Sequence, residues 1–346
     1  IYIPDLTPLL PIFGTIGLIL IVLEGSLELE LNRSKLPFVG KTATLALLPM
    51  ILFSLGLAFA FHYFGNVDFK VGLANAIPLA IISSAIAIPS AQNLNTNDKE
   101  FVTYESSLSD IFGVIFFNFI TLNDNIEGSS IGHFLLQLVI ILLISAFATL
   151  VLTLLLSKIK HHVKFLPIIL IIILIYAITK VYHLPGLILI MIFGLFIGNI
   201  DEIRHIKFIQ KLEPDSLTNE VHKFKELTTE IAFLVRSLFF ILFGFLINTS
   251  ELLNSETILW SSSIGAGIYL LRIIFLKIFK LNLSPLLFIA PRGLITILLF
   301  LSIPLEQVIP LANKSLIIQV IIITALMMML GLLTHSKSND EEKLDN

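Results

Sequence analysis

Long apolar runs recur along the whole chain, and they constrain its fold more than any other feature. A helix of about 20 apolar residues spans the ~30 Å hydrocarbon core of a bilayer. The composition agrees, because 56% of the residues are hydrophobic and only 14% are charged, which is too apolar for a soluble domain of this length. The runs are continuous rather than alternating, which excludes a membrane β-barrel. The sequence therefore predicts an all-α polytopic membrane protein.

About eleven spans can be placed in the sequence. They form a single transmembrane domain over residues 1–346, which ends in a short polar tail at 336–346. The predicted spans are 9–31, 40–63, 71–93, 101–122, 133–157, 164–181, 184–200, 228–248, 257–279, 283–303 and 313–335.

The distribution of basic residues predicts the orientation of these spans. Of the 22 lysines and arginines, three lie within spans (Arg236, Arg272, Arg292) and three lie in one set of loops (Lys70, Lys180, Lys314). All the others lie in the opposite loops and span ends, which the positive-inside rule assigns to the cytoplasm. We therefore expect a multi-pass protein of the cell (inner) membrane with a cytoplasmic C-terminus. The basic loops follow this rule, so they indicate no nucleic-acid partner.

Two acidic residues, Glu105 and Asp110, interrupt the apolar fourth span. A carboxylate near the centre of a bilayer costs roughly 2.5–3.5 kcal/mol on insertion scales, and such groups mark ion or proton pathways. Ser106 lies four residues before Asp110 and shares its helix face. A carboxylate with a nearby hydroxyl suits Na⁺, and the same group can bind a proton when it is removed from water. One group that takes either ion is the minimal chemistry of exchange.

Glu105 points about 140° away from Asp110 around the helix and needs another explanation. A buried charge is normally paired, and Arg292 lies equally deep in an apolar span. The sequence therefore predicts a Glu105–Arg292 ion pair. Arg236 lies deep in the eighth span, where we expect it to bind unwound backbone or a carboxylate such as Glu230. We also expect Arg236 and Pro89 to line the site.

Prolines in two spans suggest an internal repeat. The third span carries Ile88-Pro89 and the tenth carries Ala290-Pro291, each in mid-helix. These two spans have opposite orientations in the predicted topology. Inverted repeats with paired interrupted helices are typical of secondary transporters, although proline is also common in membrane helices generally.

The segment Glu105-Ser106-x-Leu108-x-Asp110 resembles the E-S-x-L-N-D signature of the monovalent cation:proton antiporters. The likeness is greatest to the branch of the sodium/proton antiporters and sodium/hydrogen exchangers. Four further segments resemble that branch in the same order along the chain. They are residues 23–31 (F-E-G-G-L-x-L-D-L in the family), 185–199 (a helix ending in G-L-x-x-G-N), 236–244 (R-x-x-F-F-x-x-x-G) and 291–304 (G-x-R-G, then L-S-L-P).

The resemblance implies an inverted-repeat antiporter fold with two crossing interrupted helices, in spans 3 and 10. It also implies a homodimer, no cofactor and no enzymatic activity. Asp110 would bind the cation or proton, Ser106 would be a cation ligand, and Glu105 and Arg292 would form a structural pair. The family fold has thirteen helices, so we expect two further helices before Ile1.

Two departures from the family pattern bear on the transported ion. The family's Thr-Asp-Pro appears here as Ala87-Ile88-Pro89, so Ser83 and Ser84 are the candidates to replace the missing hydroxyl. The family's Asn before the aspartate is Ser109, which adds no second charge. In the family, two adjacent aspartates are associated with electrogenic exchange and Asn-Asp with electroneutral 1:1 exchange, so the resemblance predicts electroneutral exchange here.

The sequence as a whole predicts a secondary active antiporter that exchanges Na⁺ (or Li⁺) for H⁺ across the bilayer. A K⁺/H⁺ antiporter of the same fold is the alternative. An intramembrane aspartyl protease would need a second aspartate deep in another span, and the sequence has none. A cation channel would need a pore-lining repeat or a ring of carbonyls, and no sequence pattern indicates either.

Overall fold

A computed structural model of the chain describes residues 9–29, 34–123, 128–158, 165–182, 184, 186–202, 214–245, 247 and 249–344. These residues form helices and no strand. The α-helices are α1 (Leu9–Glu28), α2 (Leu36–Gly65), α3 (Phe69–Ala80), α4 (Ser84–Ser90), α5 (Thr96–Leu122), α6 (Gly128–Lys158), α7 (Phe165–Val181), α8 (Gly186–Gly198), α9 (Pro214–Phe245), α10 (Thr249–Leu252), α11 (Ser255–Ile278), α12 (Leu294–Leu301) and α13 (Lys314–Leu344). A 3₁₀ turn occupies Leu305–Gln307. The predicted all-α class is confirmed.

Seven helical segments of the described chain are long and apolar enough to cross a membrane. One of them is the α3–α4 pair, counted as a single stretch, and α7 and α8 are shorter apolar helices. The count of eleven spans stays a prediction. Helix α9 begins before the predicted eighth span, and α13 continues through most of the predicted tail.

The chain divides into two compact units. The first contains Ile1–Gly40 and Asn118–Phe243, and the second contains Lys41–Phe117 and Gly244–Asn346. In the first unit, α8 packs against α1, α6 and α7. In the second unit, α11 packs against α13, and α12 packs against α3.

Close packing of α1 on α8 depends on two glycines four residues apart. A Cβ atom on Gly198 would lie 2.6 Å from the carbonyl oxygen of Leu27, and one on Gly194 would lie 2.6 Å from Ser26 Cβ. Small residues at this spacing allow membrane helices to approach closely, where dispersion contacts stabilise the pair. Asn199 then donates from Nδ2 to the Leu29 carbonyl, 2.8 Å away.

The second unit contains both interrupted helices. Helix α3 ends at Ala80 and α4 begins at Ser84, with extended backbone at Ile81 (φ −84°, ψ 130°) and Ser83 (φ −81°, ψ 112°). The second interruption precedes α12, which starts at Leu294. The two interruptions are in contact, as the hydrogen bond from the Ser83 amide to the Pro291 carbonyl (2.9 Å) shows. The prediction that spans 3 and 10 are both interrupted is confirmed.

The positions of the interruptions differ from those predicted. The first lies at residues 81–83 and not at Pro89, which is inside α4. The second begins well before Pro291, because residues 281–293 are not helical. Proline was a poor marker, since backbone inside a membrane protein leaves the helix where other groups satisfy its N–H and C=O groups.

Candidate functional site

Helix α5 carries four of the predicted site residues on two adjoining turns. Glu105, Ser106, Ser109 and Asp110 are all at least 97% buried. The helix is capped by Asn95, whose Oδ1 accepts from the Asp98 amide at 2.9 Å, which satisfies one of the free donors at the helix start. The capped helix α5 thus places these four polar side chains in the interior of the second unit.

The three amides at the first break each have a partner outside their own helix. The Ile82 amide donates to Ser109 Oγ at 3.0 Å, and the Ser83 amide donates to the Pro291 carbonyl. The Ser84 amide donates to Asp110 Oδ2 at 3.3 Å. A buried backbone group without a hydrogen-bond partner costs free energy. Ser109 and Asp110 therefore stabilise the break by accepting from its amides.

Arg292 satisfies the carbonyls that the same break releases. Its Nε donates to the Leu79 carbonyl at 2.9 Å, and its Nη2 donates to the Ala80 carbonyl at 3.1 Å. Its Nη1 donates to the Ala290 carbonyl at 2.8 Å. The planar guanidinium suits this role, since its five N–H donors point outward in a fixed fork. One side chain thus joins the two interrupted helices.

The predicted Glu105–Arg292 pair is wrong. Glu105 instead forms a two-point ion pair with Arg272 of α11, with both N–O distances 2.8 Å. Arg272 also donates from Nε to the Leu286 carbonyl at 2.7 Å. The physical reason is that Arg292 is engaged by backbone carbonyls, which leaves Arg272 as the partner of the buried carboxylate.

Within the described part of the chain, only one of the two carboxylate oxygens of Asp110 is hydrogen-bonded. Ser84 donates to its Oδ2 through both the hydroxyl and the amide. The other carboxylate oxygen, Oδ1, has no hydrogen-bond partner among the described residues, and neither has the hydroxyl of the adjacent Ser83. A buried acceptor without a partner is costly. Each of these buried oxygens therefore has a lone pair that a cation could use, and Asp110 Oδ1 can receive a proton.

Ser106 is buried one turn before Asp110, and its hydroxyl donates to the Val102 carbonyl at 2.7 Å. The bond uses the hydroxyl hydrogen and leaves oxygen lone pairs. Its role as a cation ligand stays a prediction. Pro89 lies six residues beyond the break, near the end of α4.

Arg236 belongs to the first unit, where it faces Glu24 of α1 across 3.7 Å. Its carboxylate partner is therefore Glu24 and not Glu230. Both side chains are nearly buried. The sequence offers no signal that pairs these two residues beyond the fact that each is a charged residue deep in an apolar span. Its assignment to the lining of the site stays a prediction.

The sequence matches the family model described as "Sodium/hydrogen exchanger, transmembrane" over residues 4–334. The chain belongs to the sodium/hydrogen exchanger family. This membership confirms the resemblance drawn from the motifs around Asp110. No curated protein matches the chain.

Solved structures share the fold of this exchanger-family chain. One is the sodium proton antiporter MjNhaP1 from Methanocaldococcus jannaschii at pH 8, with a TM-score of 0.60 and 19% identity over 96% of this chain and 89% of that one. An electron-microscopy structure of the same antiporter gives a TM-score of 0.63 and 18% identity over 96% and 84%. At this identity the likeness establishes the inverted-repeat antiporter fold.

Proposed function

We propose that this chain is a secondary antiporter that exchanges Na⁺ for H⁺ by alternating access, with Asp110 as the shared site. The observation that carries the proposal is the buried Asp110 carboxylate at the meeting point of the two interrupted helices, bonded through one oxygen only. Membership of the sodium/hydrogen exchanger family supports Na⁺ and H⁺ as the two exchanged ions. The shared fold with a sodium proton antiporter supports the mode of transport.

The ligand set suits a hard monovalent cation. Asp110 Oδ1 provides the charge and Ser83 Oγ a neutral oxygen, while Ser106 is the further hydroxyl that we assign to the site. Ser84 has the separate task of holding the carboxylate in place through Oδ2. When Asp110 takes up a proton, its attraction for the cation is lost, so the two ions exclude one another.

We further propose that exchange is electroneutral. Glu105 is neutralised by Arg272, and Ser109 contributes no charge. Asp110 therefore carries the single negative charge that either one Na⁺ or one H⁺ balances. Li⁺ is the closest substitute for Na⁺, and K⁺/H⁺ exchange by the same site is the alternative.

The charge distribution and family fold support the remaining assignments. We propose eleven spans, a cytoplasmic C-terminus, a homodimer in the cell (inner) membrane and a part in pH homeostasis. The basic residues of one set of loops, which anionic cytoplasmic lipids attract, support the orientation.

Dissipation of a pH gradient in everted vesicles tests the function directly. Na⁺, Li⁺ and K⁺ are added in turn to vesicles that contain the wild-type chain, Asp110→Asn or Asp98→Asn. We expect Na⁺-dependent dissipation in the wild type and none above background in Asp110→Asn, because the amide cannot carry the exchanged charge. Asp98→Asn is the matched control, since Asp98 is in the first turn of the same helix.

Undiminished exchange in Asp110→Asn, with normal insertion, would refute the assignment of the site. A response to K⁺ alone would favour the K⁺/H⁺ alternative.

A further inference from the structure

A cavity of about 30 Å³, partly open to its surroundings, is lined by residues of the second unit beside the first break. Its polar lining comes from Glu105, Ser109, Arg272 and Arg292. Residues of α2 and α11, such as Ala46 and Met50, provide the apolar part of the wall. One water needs about 10–15 Å³ of such volume, so the cavity has room for about two.

The two arginines have more donors than their protein partners use. Each guanidinium has five N–H groups, and each places three of them on oxygen atoms within the described chain. Two N–H groups remain on each arginine. Both side chains are more than 90% buried, and leaving donors of a buried charged group unpaired is costly.

Ser109 has a spare donor on the same cavity. Three other buried serines, Ser106, Ser26 and Ser54, donate to the carbonyl four residues earlier. Ser109 instead accepts from the Ile82 amide, and among the described residues its hydroxyl has no acceptor. The hydroxyl hydrogen therefore needs an acceptor in the cavity that Ser109 lines.

The wall of the cavity thus offers donors in excess, with the Glu105 carboxylate as its charged acceptor. We propose that this cavity is a binding site for one or two ordered water molecules. The water accepts from Arg272, Arg292 and Ser109 and donates to Glu105. The water thereby links Ser109, which accepts from an amide of the break, to Arg292, which donates to carbonyls of the break. This site goes beyond the proposed exchange reaction and does not depend on it.

An isosteric pair of substitutions at Ala46 tests the proposal. Thr and Val have nearly the same shape, but only Thr can hydrogen-bond within a hydrated cavity. We expect the full-length Ala46→Thr variant to have a higher Tm than Ala46→Val, by at least about 2 °C. At Ala58, which is fully buried twelve residues along the same helix, the same pair should show the opposite order. Val more stable than Thr by the same margin at both positions would overturn the proposal.

Radiolytic labelling gives a second readout on the unmodified protein. X-rays generate hydroxyl radicals from bound water, and these oxidise side chains in contact with it. Met50 lines the cavity and is 2% exposed, whereas Met328 is 6% exposed and belongs to α13. We expect Met50 to be oxidised at least as fast as Met328. Much slower oxidation of Met50 would contradict a hydrated cavity.

Replacement of chloride by gluconate at constant ionic strength identifies the occupant. An unchanged Tm supports water. A lower Tm without chloride, restored when chloride is added back, would show that an anion binds among the donors and would overturn the assignment to water.

Discussion

Two buried arginines in the second unit have different tasks, although both are deep in apolar spans. Arg272 neutralises a carboxylate, and Arg292 satisfies backbone carbonyls. The sequence located both residues but could not divide these tasks between them. Pairing depends on which helices adjoin α5, and the order of residues along the chain does not contain that information.

Loss of Arg272 should be severe because it leaves Glu105 buried and unpaired. We expect Arg272→Met to lower the free energy of unfolding by about 3–5 kcal/mol. The double variant Arg272→Met/Glu105→Met should recover most of this loss, since an apolar replacement of a buried pair is often nearly neutral. Denaturation of the four proteins of this cycle in detergent measures the coupling, and strictly additive effects would show that the pair contributes no coupling.

At the scale of the element, the apolar helices and the α3–α4 break were predictable to different degrees. The length of the apolar runs identified the helices, and the motif that ends at Asn199 lies where α8 meets α1. The break was predicted in the correct span but at the wrong residues. Its true position depends on Ser109, Asp110, Pro291 and Arg292, all distant in sequence from residues 81–83, so local composition could not locate it.

The α1–α8 contact gives a prediction at this scale. Gly198→Ala should lower the free energy of unfolding by about 1–3 kcal/mol, because the new Cβ would overlap the rigid Leu27 carbonyl. Gly56→Ala is the matched control in α2, where a Cβ meets no atom within 4 Å. It should be neutral or stabilising by roughly 0.5–1 kcal/mol. Equal thermal stability of the two variants would argue against close packing at Gly198.

For the whole molecule, the proposed single charge at Asp110 makes exchange independent of the membrane potential. In proteoliposomes with an imposed potential and no ion gradients, we expect no net Na⁺ movement, because one Na⁺ crosses for each H⁺. Asp110→Asn proteoliposomes give the background. Potential-driven Na⁺ accumulation above that background would mean that a second charge moves with each cycle.

The overall class was the most predictable property of this molecule. Apolar runs and basic loops were sufficient for a polytopic helical protein, and the motifs around Asp110 were sufficient for its family. Ser83 and Ser84 were predicted only as candidates to replace the family's missing hydroxyl, and the sequence did not show that Ser84 hydrogen-bonds the Asp110 carboxylate. Which of them bonds the carboxylate depends on the direction in which the break turns its side chains.

The break at residues 81–83 has a mechanical consequence. Irregular backbone is often the joint about which a protein bends, because its hydrogen-bonding groups can change partners at little cost. Here the amides are held by Ser109, Pro291 and Asp110, and the released carbonyls are held by Arg292. Bending at this point would break several buried bonds at once. We therefore expect the two interrupted helices and Asp110 to move as one rigid body during a conformational change, with the hinge elsewhere in the chain.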